Sequence, residues 1–178
     1  SGEIFIEGTD VLKLQIKELN EIRKQLGFLF QGAALYDSMS VKENLEFPLI
    51  RHFNFTPKER EEKVKSVLEK VSLEEAINKM PSELSGGLKK RIGLARSIIA
   101  EPKLMLYDEP TTGLDPITSK EISSLILELQ KSLKMTSIVV THDLLCAEII
   151  ADRAIVLNEG AVQHSGTITE LTTSRDPF

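Results

Sequence analysis

Two short apolar runs, KLMLY at 103–107 and SIVV at 137–140, flank one amphipathic segment, TSKEISSLILELQKSL. In that segment Ile122, Leu125, Ile126, Leu129 and Leu133 recur at helical spacing, with Thr118 and Glu121 placed to form a capping box. A helix between two strands is the connection that a parallel pair requires, because a tight hairpin can join only antiparallel strands. Strands this continuously apolar are expected to be buried on both faces. The spacing therefore predicts an α/β fold with a parallel sheet covered by helices on both sides, with TSIVV buried. RKQLGFLFQ (23–31) reads as a further strand of the same sheet.

Between Ser40 and Ala100 the pattern turns helical. TPKEREEKVKSVLEKV offers Thr56 as cap, Pro57 at the first helical position and Glu59 to close a capping box. Its stripe is Val64, Val67, Leu68 and Val71, and its charges read as a solvated face. SLEEAINKMP repeats that logic with Ser72 and Glu75, stopping before Pro81. Ser85 then opens a helix through Leu88, Ile92, Ala95 and Ile99. SGEIFIEG reads as a strand and turn, LLCAEIIAD as a short helix, and RAIVLNEG with AVQHSG as a hairpin. The expected organisation is a partial core at 1–39, a helical subdomain at 40–100 and the remaining core at 101–178.

A chain of 178 residues can bury one ordinary core. Its net charge of −5 argues against sequence-independent nucleic-acid binding, which needs a surplus of Lys and Arg. No apolar run is long enough to span a bilayer and no leader pattern is visible, so a cytoplasmic location is expected. The single cysteine, Cys146, excludes an internal disulfide and reads as a packing residue within an apolar run.

Ligands of parallel sheets bind beyond the carboxyl ends of the strands. Those ends carry Gln31, then Asp108 and Glu109, then His142. Asp108 could hold Mg²⁺ directly or through water, and Glu109 could serve as base or orienter of an attacking water. His142 could hydrogen-bond a terminal phosphate oxygen. In ELSGGLKKR, Ser85, Gly86 and Gly87 offer a hydroxyl and unobstructed N–H groups at a helix mouth, suited to an anion. The same residues also suit an ordinary cap followed by loop glycines.

LSGGLKKRIGLARSIIAEPKLMLYDEPTTGLDP resembles the signature motif, Walker B strand and D-loop of ABC-transporter ATPases, with FLFQ and VVTHD resembling their Q- and H-loops. The resemblance covers nearly the whole chain. It implies a P-loop NTPase-like sheet with an inserted helical subdomain, binding ATP and Mg²⁺. It further implies that Ser85, Gly86 and Gly87 contact the γ-phosphate of ATP held by a second ATPase subunit in a homodimer. Asp108 and Gln31 would serve the metal, Glu109 would polarise water, and His142 would sense the γ-phosphate. Asp115 would lie at the dimer interface, and Gln31 would link the metal site to transmembrane permease subunits at the cytoplasmic face of the inner membrane.

FQGAALYDSMSVKENLEFPL, YDEPTTGLDPITS and the ending SRDP are similar to the Mla-type ATPases, which drive lipid transport with an Mce-domain protein. Leu88 stands where many relatives carry glutamine and Mla-type ones often methionine. A P-loop, G-x-x-x-x-G-K-[ST], is absent, since no glycine here is followed by lysine. The resemblance places that motif just ahead of SGEIFIEG, so a fold truncated at its N-terminus is expected, with negligible ATP hydrolysis and an unpaired apolar edge at SIVV. The 54 positions from Gln31 to Ser85 leave no room for the coiled-coil arms of DNA-repair relatives. The remaining alternative is a non-catalytic scaffold that only docks on a partner.

Overall fold

The structure is a computed structural model and describes residues 2–173. Three parallel strands form its central sheet: β3 (Leu26–Leu29), β4 (Leu104–Asp108) and β5 (Thr136–Val140), in the order β3–β4–β5. Two antiparallel ribbons stand apart from it. They are β1 (Phe5–Ile6) with β2 (Thr9–Asp10), and β6 (Arg153–Asn158) with β7 (Ala161–Thr167). The second ribbon is the hairpin expected from its turn at Glu159–Gly160.

The helices are α1 (Ile16–Arg23), α2 (Val41–His52), α3 (Pro57–Lys70), α4 (Gly86–Ile98), α5 (Pro116–Leu133), α6 (Leu144–Ile150) and α7 (Ile168–Thr173). Helix α3 starts as its capping box requires: Thr56 N–H donates to Glu59 at 2.7 Å and Glu59 N–H donates to the Thr56 hydroxyl at 3.3 Å. Its stripe, Val64, Val67, Leu68 and Val71, is buried. One apolar cluster joins this stripe to Leu45 and Leu49 of α2, Ile92 and Leu94 of α4, Ile122 and Ile126 of α5, and Leu29, Met105 and Tyr107 of the sheet.

Four expectations are corrected. Ser72 does not open a helix. It sits at φ +55° and ends α3 in a Schellman turn, with Leu73 N–H donating to the Leu68 carbonyl and Ser72 N–H to that of Glu69. Within SLEEAINKM the only helical element among the described residues is the 3₁₀ turn Glu74–Ala76. Helix α5 begins before Thr118, because Asp115 caps it: one carboxylate oxygen accepts from Ile117 and Thr118 N–H at 3.1 Å each. Strand β3 starts at Leu26, since Arg23 still belongs to α1, a short helix whose apolar residues Ile16, Leu19 and Ile22 recur at helical spacing although none of its residues is buried.

The fourth correction concerns the sheet. Its covered face carries Leu29, Met105 and Tyr107, whereas Phe28, Ile138 (54% exposed) and Val140 (61%) are exposed on the other. Among the described residues β5 pairs with β4 alone, which is the unpaired edge expected at SIVV, while its exposed face overturns the expectation that TSIVV is fully buried. No helix among the described residues is long and apolar enough to cross a membrane. The SRDP motif lies outside the described residues.

Candidate functional site at the strand ends

The parallel register lines up the strand ends. Leu29 lies opposite Tyr107, and Tyr107 opposite Val139, so Gln31, Glu109 and Thr141 each stand two residues further along neighbouring strands. Glu109 N–H donates to the Val140 carbonyl at 2.9 Å, which carries the ladder one residue past Asp108. There the chain bends: Glu109 has φ +47°, a left-handed conformation for a non-glycine residue that also precedes Pro110.

The bend places the Glu109 carboxylate under four donors. Its Oε1 lies 2.8 Å from His142 Nδ1 and accepts from His142 N–H at 3.2 Å. Its Oε2 accepts from the Thr112 hydroxyl at 3.0 Å and the Thr141 hydroxyl at 3.4 Å. Burial alone would push the Glu109 pKa up, but the hydrogen bonds from His142 and Thr112 outweigh it and hold the carboxyl below its ordinary value. The same hydrogen bond and the carboxylate charge hold His142 above its ordinary value. The imidazole is 79% exposed and the carboxylate 18%, so the pair presents an imidazole outward over a shielded carboxylate.

Behind this pair, Thr111 is buried and its hydroxyl donates to Asp143 at 2.8 Å. Asp143 in turn caps α6 through Cys146 N–H at 3.2 Å. Cys146 is buried and burial pushes its thiol pKa up, as befits a packing residue.

Ser85, Gly86 and Gly87 gather elsewhere. The Ser85 hydroxyl caps α4, accepting from Leu88 N–H at 3.4 Å. A Cβ added to Gly87 would come within 2.7 Å of Thr118 Cγ2, and one on Gly86 within 3.7 Å of Leu114, so the signature turn packs on the loop that holds Asp115. Asp115 is engaged in capping α5, its second oxygen accepting from the Thr118 hydroxyl at 2.6 Å. Gln31 stands exposed beyond β3, without a hydrogen bond to any other site residue among the described residues. Asp108 ends β4 half-buried beside Glu109. The predicted residues thus fall into two groups, Asp108–Glu109–His142 and Ser85–Gly87 with Asp115, while Gln31 is aligned with the first.

Two residues escaped sequence reasoning. Lys90, to which the sequence assigns no role, is 5% exposed and donates from Nζ to the Glu109 carbonyl at 3.1 Å. Asn44 is fully buried and bonds Tyr36 N–H, the Tyr36 carbonyl and the Met39 carbonyl at 2.8 to 3.1 Å. Its place on the apolar side of α2, between Val41 and Leu45, was the available signal.

The residues present fit a phosphate-bearing nucleotide and its metal in part. They supply a carboxylate pair and an exposed imidazole, but these 178 residues hold no phosphate cradle of the P-loop kind. Among the described residues no cluster of three or more His, Cys, Asp or Glu could hold a metal alone.

Comparison with known proteins follows the same line. The intermembrane phospholipid transport system ATP-binding protein MlaF of Haemophilus influenzae is 42% identical over 98% of this chain and 66% of its own length. The methionine import ATP-binding protein MetN of Carboxydothermus hydrogenoformans is 39% identical over 96% of this chain and 50% of its own. The chain therefore spans between half and two thirds of these curated relatives. Among solved structures, cbiO1 from Clostridium perfringens, part of the ABC transporter complex cbiONQ, superposes with a TM-score of 0.90 at 30% identity, over 98% of this chain and 69% of that one. The dimeric ATP-binding cassette MJ0796 bound to ADP and Pi gives 0.83 at 32% identity, over 94% and 74%. The family profile described as ABC transporter matches residues 1–112, more than half of the sequence. By that match, and by the motifs its strand ends carry, this chain belongs to the ABC transporter family.

Proposed function

We propose that the chain works as part of an ATP-hydrolysing subunit of a transporter, with the phosphate cradle supplied outside these 178 residues. The observation that carries the reading is the Glu109–His142 contact of 2.8 Å at the sheet edge. A shielded carboxylate kept ionised by its donors is suited to orient and polarise a water, and an exposed imidazole is suited to donate a hydrogen bond to the terminal phosphate oxygen. Asp108 and Gln31 would hold Mg²⁺, which when bound neutralises charge on the β- and γ-phosphates. Ser85, Gly86 and Gly87 would present the α4 N-terminus to the nucleotide of a second subunit, with Asp115 at that interface. Residues 40–100 would form the helical subdomain that faces transmembrane permease subunits, placing the protein peripherally on the cytoplasmic face of the membrane.

The test is to add a segment carrying G-x-x-x-x-G-K-[ST] ahead of Ser1 and measure Mg-ATP turnover. Turnover that Glu109→Gln abolishes while ATP still binds supports the reading. Turnover indifferent to Glu109→Gln overturns it. The chain as it stands is expected to show negligible turnover.

The cargo we propose is lipid. The support is the 42% identity to the phospholipid-transport relative, against 39% for the methionine importer. Reconstituted with its permease, ATP turnover should rise with phospholipid vesicles and not with L-methionine. The reverse pattern would exclude lipid.

A further inference from the structure

Lys90 is a buried ammonium for which neither the motifs nor the proposed chemistry accounts. Its helix, α4, has apolar neighbours in Ile92, Leu94 and Ala95, and burial depresses its pKa against the pull of Glu109 and Asp108. Burying a cation is costly unless it is paired and hydrogen-bonded, so its single described acceptor is informative. That acceptor is the main-chain carbonyl of Glu109, at 3.1 Å. The carbonyl also accepts from Thr112 N–H at 3.3 Å, which fills its second lone pair.

Glu109 needs such a hold. A non-glycine residue at φ +47° is strained, and a following proline pushes residues toward extended backbone. Relaxation to an extended conformation would swing the carboxylate out of reach of His142, Thr112 and Thr141. The bend persists only if surrounding groups over-determine it: the Glu109 N–H is held by the Val140 carbonyl of β5, and the charge-assisted bond from Lys90 of α4 is the described hold on its carbonyl from another element.

We propose that Lys90 is a positioning residue: it locks the left-handed backbone of Glu109 and thereby aims the Glu109 carboxylate at His142. This rests on the proposed role of Glu109 only for its meaning, not for its geometry. It also links two groups of the site, since the helix capped by Ser85 is the one that grips Glu109.

The experiment is backbone NMR on this protein, with no nucleotide present, comparing Lys90→Met, Lys90→Gln and Lys90→Arg. In the unaltered protein the Glu109 coupling constant and Cα and Cβ shifts should report the left-handed backbone. Lys90→Met should move them toward extended values and speed exchange of the His142 amide about tenfold, as its acceptor departs. Lys90→Arg, which keeps a charged donor, should restore both. Amides of α3 should stay in place, because a loss of packing alone would spread there. If Lys90→Met does not fold, Lys90→Gln keeps a neutral donor and should give a partial shift at Glu109. Glu109 and His142 signals unchanged in every folded variant without the ammonium would overturn the proposal. So would changes spread evenly into α3 and not recovered by arginine. Neither result bears on whether the family chemistry uses Glu109, so the two readings fail separately.

Discussion

His142 Nδ1 and Glu109 Oε1 lie 2.8 Å apart, with the carboxylate also accepting the backbone N–H of the same histidine. The His142 pKa is therefore expected above its ordinary 6.5, and the Glu109 pKa below its ordinary 4.5. For the raised histidine, the stabilisation is complete below 6.5 and fades as pH rises through the folded-state value. For the lowered carboxyl, it is complete above 4.5 and fades as pH falls through the folded-state value. The pair is thus strongest between those two ordinary values. An NMR titration of the imidazole checks this, and Glu109→Gln should bring His142 back toward 6.5. A wild-type value at or below 6.5 would contradict the geometry.

Gly27 and Gly93 mark where backbone meets neighbour without room for a methyl group. A Cβ on Gly27 would collide with Met105 Sδ and the Ser97 carbonyl, and one on Gly93 would come within 2.8 Å of the Ala33 Cβ. Gly27→Ala and Gly93→Ala should each cost about 1–3 kcal/mol through overpacking. Thermal unfolding should show a fall of several degrees, whereas Gly32→Ala, with open space around it, should move the midpoint little.

Asn44 ties the loop after β3 to α2 through Tyr36 and Met39. Asn44→Ala would leave the Tyr36 N–H without its described acceptor, at about 1–3 kcal/mol. Urea unfolding should show a lower midpoint with an unchanged slope. Asn44→Asp should recover only the bond from Tyr36 N–H, because a carboxylate cannot donate to the carbonyls of Met39 and Ser40.

The open edge of β5 should drive concentration-dependent association. Sedimentation equilibrium should give a mass above 19.9 kDa at high concentration. Ile138→Lys, a charge on the exposed face, should bring it down to the monomer.

Much of this was legible in the chain because local rules and tertiary structure agreed. The Thr56–Glu59 box, the Ser85 cap, the strand ending at Asp108 and the hairpin at Glu159–Gly160 all appear where their residues predict. Where reading failed, a competing interaction won. Thr118 and Glu121 look like a cap pair, but Asp115 offers a stronger one three residues earlier and Glu121 turns to Arg91 at 3.0 Å. SIVV looks buried because sequence pattern reports hydrophobicity and not what packs on it. Lys90 was invisible because a cation reaching a main-chain carbonyl 19 residues away leaves no periodic trace.

Along its length helix α4 is capped by Ser85, reaches the Glu109 carbonyl through Lys90 and Glu121 through Arg91, and holds the Ala33 carbonyl through Arg96 at 3.0 Å. From Ser85 to Arg96 it spans about 16 Å at 1.5 Å per residue. A hydrogen-bonded rod of that length has little compliance, so the bend at Glu109 and the loop carrying Ala33 are held at a fixed spacing by one stiff member.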